Sequence, residues 1–407
     1  MRADLRGAGA ALAFGAAAAS IAYTAFAVVR VVAFGRRARE RRSHGPLFPT
    51  APNRCPTVTV FKPVRGLEPQ LGENLRSFCR QDYPSFDVVL GVHDRDDLAL
   101  PLLRRIAAEF PDRTTVVVGD GTARCRNPKI TTLLPMLEHA TGEILVIADS
   151  DMRVTPDYLD AVAAPFADQR VGAATALYRG EPAESDLASA LGAMWITEQF
   201  APSVLVARAV EPLTYCFGST MAVRRTVLDE IGGLAALGGH LADDHQLGHL
   251  VTAHGRSVVL LPYVVANVVA ERDVRGLIEH EVRWARTIRS VRPASYLGIL
   301  LTYPAPLALA HLALAHDKRC ARLLYAMALT VRLCLHVAAH KALGTERRPP
   351  PRLALLRDTL GIAVWAIGLF GRSVRWRDDR LRVTPDGRLD ADGAGPLRSG
   401  QEAHQAE

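Results

Sequence analysis

Apolar residues run almost unbroken from Ala8 to Val29, and again in shorter blocks after Ala294. Between these regions, short runs rich in β-branched residues alternate with segments of helical period. The first run has the ~20 apolar residues that a bilayer-crossing helix needs. Arg30, Arg36, Arg37, Arg39, Arg41 and Arg42 follow it at once. A cleaved signal peptide has a shorter apolar core, so the pattern predicts an anchor with its basic flank in the cytoplasm. Three more candidate spans follow the middle region: Ala294–Ala315, Leu323–Leu343 and Leu353–Gly371. The second is interrupted by Arg332, His336 and His340, and the third carries Arg357 and Asp358 near its start. Basic residues flank all three, so the charge rule does not orient them. One is expected to lie in the interface or to re-enter.

In the middle region, strands are predicted at Val58–Phe61, Asp87–Val92, Thr114–Val118 and Ile144–Ile147. Helices are predicted at Leu71–Cys79, Leu98–Phe110 and Ile130–His139. Strands alternating with helices imply an α/β fold with a mainly parallel, doubly wound sheet. Further on, Leu187–Ala207 is apolar, Cys216–Val223 reads as a strand with a close-packed glycine, and Thr226–Ile231 is helical. A helix opening with Asp243-Asp244, a strand at Val258–Pro262 and a helix over Leu277–Arg289 complete the region. The implied division is a membrane anchor with its basic flank over 1–45 and a cytoplasmic catalytic domain over 46–292. Membrane helices occupy 293–377, and a tail over 378–407 is expected to be disordered. Pro46–Pro56 reads as the linker into the catalytic domain.

Lys and Arg number 49 against 42 Asp and Glu, a net charge of +7. The excess is local, which suits a membrane surface or an anionic substrate better than nucleic acid. Zinc-finger spacing and RNA-binding aromatic signatures are missing. The cysteines, Cys55, Cys79, Cys125, Cys216, Cys320 and Cys334, are scattered, as expected of reduced thiols facing a cytosol.

The candidate chemistry centres on Asp149-Ser150-Asp151, at the end of the apolar strand Ile144–Ile147. Ligands of open α/β sheets collect at the carboxyl ends of the strands. Two carboxylates there suit a hard cation such as Mg²⁺ or Mn²⁺. An Asx-type turn is the plainer alternative. Asp94 ends another strand, Asp244 begins a helix, and Arg283-Trp284 lies in a basic helix just before the second apolar region. Each has a plainer reading too: a turn residue for Asp94, helix capping for Asp243 or Asp244, and an interfacial anchor for Arg283 and Trp284. Lys129, after Asn127-Pro128, reads as an exposed lysine at a helix start that could reach a phosphate. Trp195, Cys216 and His245 read as core or wall residues.

Together the ordered motifs Val92-His93-Asp94, Asn127-Pro128-Lys129-Ile130, Asp149-Ser150-Asp151, Leu241-Ala242-Asp243-Asp244 and His280-Glu281-Val282-Arg283-Trp284 resemble the family 2 glycosyltransferases. The likeness is closer to the ceramide glucosyltransferase-like branch. Phe200–Leu205 and Arg283–Ser290 resemble the bacterial hopanoid-associated group within it. His280 departs from the Gln or Arg usual at its position.

The resemblance implies a GT-A type (Rossmann-like) doubly wound mixed sheet with an N-terminal transmembrane helix and C-terminal membrane helices. It implies an inverting UDP-sugar transferase in a bacterial inner membrane, with a bound Mg²⁺ or Mn²⁺. Its partners would be a UDP-sugar donor, a membrane lipid acceptor and the bilayer, without nucleic acid. Asp149 and Asp151 would hold the metal. Asp94, Lys129, Asp149, Arg283 and Trp284 would bind the nucleotide sugar, and Asp244 would be the general base. The acceptor implied first is bacteriohopanetetrol, receiving N-acetylglucosamine. Glucosylceramide synthesis, a processive polysaccharide synthase and a non-catalytic membrane scaffold are the alternatives.

Overall fold

The computed structural model describes residues 2–45, 55–271, 273–371, 373–376, 379–382, 384 and 387–389. Most of the expected linker and most of the expected tail lie outside the described residues.

The chain opens with helix α1 (Arg2–Ser43). The first half of an α/β unit follows: β1 (Val58–Val64), α2 (Leu71–Cys79), β2 (Phe86–Val92), α3 (Leu100–Glu109), β3 (Thr114–Val118), α4 (Pro128–Leu137) and β4 (Ile144–Ile147). Then come β5 (Met152–Arg153), α5 (Tyr158–Ala163), β6 (Val171–Pro182), α6 (Leu187–Trp195), α7 (Ala201–Val210), β7 (Met221–Arg224), α8 (Arg225–Glu230), α9 (Asp243–Ala253) and β8 (Ser257–Val269). The chain continues through α10 (Val274–Val291), α11 (Pro293–Gly298), α12 (Pro304–Leu314), α13 (Lys318–Leu343) and α14 (Leu353–Gly368). A short hairpin, β9 (Ser373–Trp376) and β10 (Asp379–Arg382), comes last.

Eight strands form one sheet in the order β3-β2-β1-β4-β7-β6-β8-β5. The β3-β2-β1-β4 half is parallel. Beyond β4 the sheet is mixed: β7 is antiparallel to both β4 and β6, β8 is parallel to β6, and β5 is antiparallel to β8. This is the doubly wound mixed sheet expected, the parallel half being the part the alternating elements predict. The reversal enters where Arg224 and Ile144 pair at opposite ends of their strands.

Strand periodicity builds the core. Ile144 and Val146 of β4 face a cluster with α2, α3 and α5, whereas Leu145 and Ile147 face one with α4, α8 and α9. Among the described residues all six cysteines are free thiols, as their spacing predicts.

The strand expected over Cys216–Val223 begins only at Met221. Residues before it form a tight turn, bridged from Phe217 to Thr220.

Among the described residues, two helices are long and apolar enough to cross a membrane: Gly7–Ser43 and Lys318–Leu343. Pro293–Thr302 and Pro304–Leu314 form a pair bent by 72°, a broken span or a re-entrant turn. The interrupted candidate Leu323–Leu343 is thus a full-length helix, and the third candidate is the shorter α14, 16 residues long. Gly9 faces Leu314, whereas Gly35 packs on Ala342 so closely that a Cβ would fall 2.7 Å from its backbone oxygen. Therefore α1 and α13 run side by side in the same direction, with α12 opposed. The carboxyl ends of α1 and α13 both reach the α/β unit. Part of the basic block docks there: Arg41 pairs with Asp160, and Arg42 with Asp157 at 3.2 Å.

Candidate active site

Asp149 leaves the end of β4, and its backbone N–H donates to the Gly218 carbonyl at 3.1 Å. Gly218 in turn donates its N–H to Asp244 Oδ2 at 3.1 Å. One glycine therefore spaces the central strand from the start of α9. A Cβ on Gly218 would fall 2.4 Å from Asp149 Oδ2, so the close approach requires glycine. The turn is tied down by Cys216 N–H to the Asp244 carbonyl at 3.1 Å and by Phe217 N–H to Thr175 Oγ1 at 2.8 Å.

Lys129 reaches this group because of its local sequence. The Asn127 side chain caps α4, accepting from the N–H of Lys129 at 2.9 Å and of Ile130 at 3.3 Å, with Pro128 in the first turn. The ammonium lies 2.7 Å from Asp149 Oδ1 and 3.1 Å from Asp243 Oδ2. Lys129 is thus a half-buried bridge between two motifs rather than an exposed lysine. Burial alone would lower its pKa, but Asp149 and Asp243 overcome this and raise it. Asp243, engaged with Lys129, does not cap α9; the cap is Ala242, without a side-chain bond.

Asp244 accepts from the N–H groups of Gly218 and His245. Burial, then the charge of Asp243, push its carboxyl up to about 7, against the pull of Lys129. Asp151 is shifted likewise, to about 7, by burial and then by Asp149 and Glu68. Its Oδ2 accepts from Asn267 Nδ2 at 2.7 Å, while its Oδ1 is buried without a hydrogen-bond partner. An anionic oxygen left bare inside a protein calls for a cation, so Asp149 and Asp151 fit a hard divalent metal.

Asp94 stands at the same carboxyl edge, beyond β2. Strand β1 lies between β2 and β4, so the two acidic strand ends are not immediate neighbours. Asp94 Oδ1 accepts from the Asp96 N–H at 2.9 Å, a local turn. Trp284, on α10, stacks on Trp195 at 4.9 Å between centroids and lies 4.1 Å from the His280 ring. It shares an apolar cluster with Tyr178 and Phe200. Burial, then Asp244, Asp151 and Asp149, raise the Tyr178 phenol, which places the aromatic wall beside the carboxylates. Arg283 lies on the same helix as Trp284. Glu281 between them and His280 faces away, its carboxylate gripped by Arg357 of α14 at 2.6 and 2.7 Å.

Sequence reasoning missed Lys62, Asn267 and Tyr178, and read Gly218 as a close-packed strand glycine without its link to Asp149 and Asp244. Lys62 is fully buried on β1, over the Phe78 ring at 3.8 Å, and donates to the Asp149 carbonyl. Burial pulls its ammonium down to about 7, opposed by Asp151, Asp149 and Glu68. A lysine inside an apolar strand was the available signal, since lysine is almost never fully buried unless paired.

A mixed sheet with a parallel half, closed by an acidic group at its carboxyl edge and by a second acidic helix start, is the GT-A fold of glycosyltransferases. The chain belongs to glycosyl transferase family 21, whose pattern it matches over residues 12–389. It is 23% identical over 239 residues to ceramide glucosyltransferase 1 of Caenorhabditis elegans, covering 58% of this chain and 51% of that protein. It is 30% identical over 166 residues to the ceramide glucosyltransferase of Gibberella zeae, covering 37% of this chain and 31% of the relative. The chain spans about half the length of the curated relatives it matches first. Among solved structures, it is similar to a mannosyltransferase from Pyrobaculum calidifontis in complex with GDP-Man and Mn²⁺. The TM-score is 0.46 at 23% identity, over 87% of this chain and 99% of that one.

Proposed function

We propose that the chain moves a hexosyl group from a UDP-sugar to the hydroxyl of a membrane lipid, with inversion at the anomeric carbon. The observation that carries this reading is the grouping of Asp149, Asp151 and Asp244 at the carboxyl edge of the sheet, the last with a carboxyl pushed to about 7. A general base works best with its pKa near the operating pH. Asp244 takes the acceptor's hydroxyl proton, the hydroxyl oxygen bonds to the anomeric carbon from the face opposite the nucleotide, and the bond to the diphosphate breaks. Asp149 and Asp151 would hold a divalent cation, which would supply positive charge to neutralise the departing diphosphate. Asp94 orients uracil or ribose, Arg283 pairs with phosphate oxygens, and Trp284 with Trp195 walls the acceptor. Residues 46–292 form the cytoplasmic catalytic part, held to a bacterial inner membrane by 1–45 and 293–377.

Two acceptors are in contention. Phe200–Leu205 and Arg283–Ser290 favour bacteriohopanetetrol with N-acetylglucosamine. The names of the relatives favour ceramide with glucose. The test supplies purified full-length protein with labelled UDP-N-acetylglucosamine or UDP-glucose, each with bacteriohopanetetrol or ceramide, and separates the lipids by chromatography. Label on one lipid as a single sugar is expected. Longer labelled chains would point to a polymer synthase, and no label on any lipid would remove the proposal.

A further inference from the structure

Where the α/β unit meets the membrane helices, a buried group takes no part in the transfer described above. Residues 196–200 make a π-helical turn between α6 and α7, which carries Glu198 inward. His336 and His340 lie one turn apart on α13. His336 Nδ1 and His340 Nε2 are each 2.9 Å from Glu198 Oε1. All three side chains are buried, and their ligating atoms lie within 4.8 Å of one another.

Proton placement is informative here. Thr345 Oγ1 lies 3.4 Å from the His340 carbonyl oxygen and 2.8 Å from His340 Nδ1; with the hydroxyl donating to the carbonyl, Nδ1 carries the ring hydrogen. A neutral imidazole with its hydrogen on Nδ1 has a bare lone pair on Nε2. That lone pair faces the Glu198 carboxylate, so a positive centre belongs between them. Charge counting gives the same answer. Glu198 and Asp358 are both paired with Arg332, whose guanidinium lies 2.7 Å from Glu198 and 2.9 Å from Asp358. With neutral imidazoles, two carboxylates face one guanidinium and the cluster keeps an excess negative charge away from water, which is costly. Two of the three ligands are held from behind, as metal ligands are: His340 by Thr345, and Glu198 by Arg332, itself fixed by Asp358; His336 Nε2 is buried without a partner.

We propose that Glu198, His336 and His340 bind a divalent transition metal, zinc first, which clamps the π turn of the α/β unit to α13. One carboxylate and two imidazoles form a set that suits zinc. The all-oxygen pair Asp149 and Asp151 suits Mg²⁺ or Mn²⁺ instead. The clamp stands whether or not the acceptor lipid is correctly named.

The test purifies the full-length protein in detergent without chelator and measures bound metal by mass spectrometry. Stoichiometric zinc is expected in the parent and in an Asp149→Asn, Asp151→Asn variant, and its loss in a His336→Gln, His340→Gln variant. Thr345→Val should weaken retention by about tenfold or more, as loss of an orienting partner does. Adding Zn²⁺ to the chelator-treated parent should raise its thermal midpoint, and Co²⁺ in its place should give visible absorption of a low-coordinate site. Two outcomes would overturn the proposal. One is a parent that retains no zinc and gains no thermal stability from it, in which case a proton on His340 supplies the missing charge. The other is a double variant that keeps its zinc. The first outcome uses the unaltered chain, so misfolding of a variant cannot obscure it.

Discussion

Two clusters of charge can be compared, one half-buried at the carboxyl edge of the sheet and one buried at the junction with α13 and α14. At the edge, Glu68, Asp149, Asp151, Asp243 and Asp244 surround the ammonium groups of Lys62 and Lys129. At the junction, Glu198, Glu281 and Asp358 face Arg332, Arg357 and two histidines. The first is strongly unbalanced, and two of its carboxyls are pushed toward neutrality by burial. The second pairs each guanidinium with carboxylates and, with neutral imidazoles, keeps one negative charge over, at Glu198. Unbalanced charge is a place for a ligand and for proton transfer. Paired charge inside a protein locks elements together and is costly to break from one side, and the charge left over at Glu198 is where the proposed metal would sit.

The comparison can be broken from either cluster. Asp244→Asn keeps the shape and removes the proton acceptor. Transfer measured with saturating donor should fall by about 10²–10⁴, the usual range for a positioned base, with the thermal midpoint nearly unchanged. A variant transferring as fast as the parent would remove Asp244 from the mechanism. Arg332→Met does the reverse. It strands Glu198 and Asp358 in the interior, and breaking such a pair costs about 3–5 kcal/mol. The expected result is a large drop in thermal midpoint in detergent, with turnover per folded molecule retained.

Gly218→Ala tests the spacing between Asp149 and Asp244. The added methyl meets Asp149 Oδ2 at 2.4 Å, so the carboxylate must move. Misplacement of a reacting group by about 1 Å can cost ~10²-fold, and a loss of that order in transfer rate is expected with the fold intact by circular dichroism. The pH profile is a finer probe. Asp244 works as a base only when deprotonated, so the rate should fall as pH drops through about 7. Lys129 holds that carboxyl down, so Lys129→Met should move the midpoint to higher pH. A midpoint that stays in place would separate Lys129 from Asp244. The smallest effect is expected at the solvent-exposed pair Arg170 and Asp168. Arg170→Ala should leave transfer and thermal midpoint where they are, since such pairs contribute little.

Much of the site was legible because its residues sit at the ends of local signals. Asp94 and Asp149 follow apolar runs that can only be strands, and Asn127-Pro128 announces the helix that delivers Lys129. The partners were not legible. Lys129 read as an exposed lysine because nothing nearby in sequence shows that Asp149 and Asp243 converge on it. Glu198 was hidden within an apolar stretch. Arg332, His336 and His340 read as interruptions of a membrane helix, although each has a buried partner from a distant segment.

By itself the sequence determined the α/β alternation, the long first apolar helix and the order of acidic motifs. These follow from side-chain period and from local capping, which act over a few residues. Only the tertiary structure decided that β7 enters antiparallel, that one glycine joins Asp149 to Asp244, and that α13 delivers two histidines to Glu198. Such contacts join segments up to 142 residues apart. They depend on how the layers pack, and no local pattern of side chains encodes that distance.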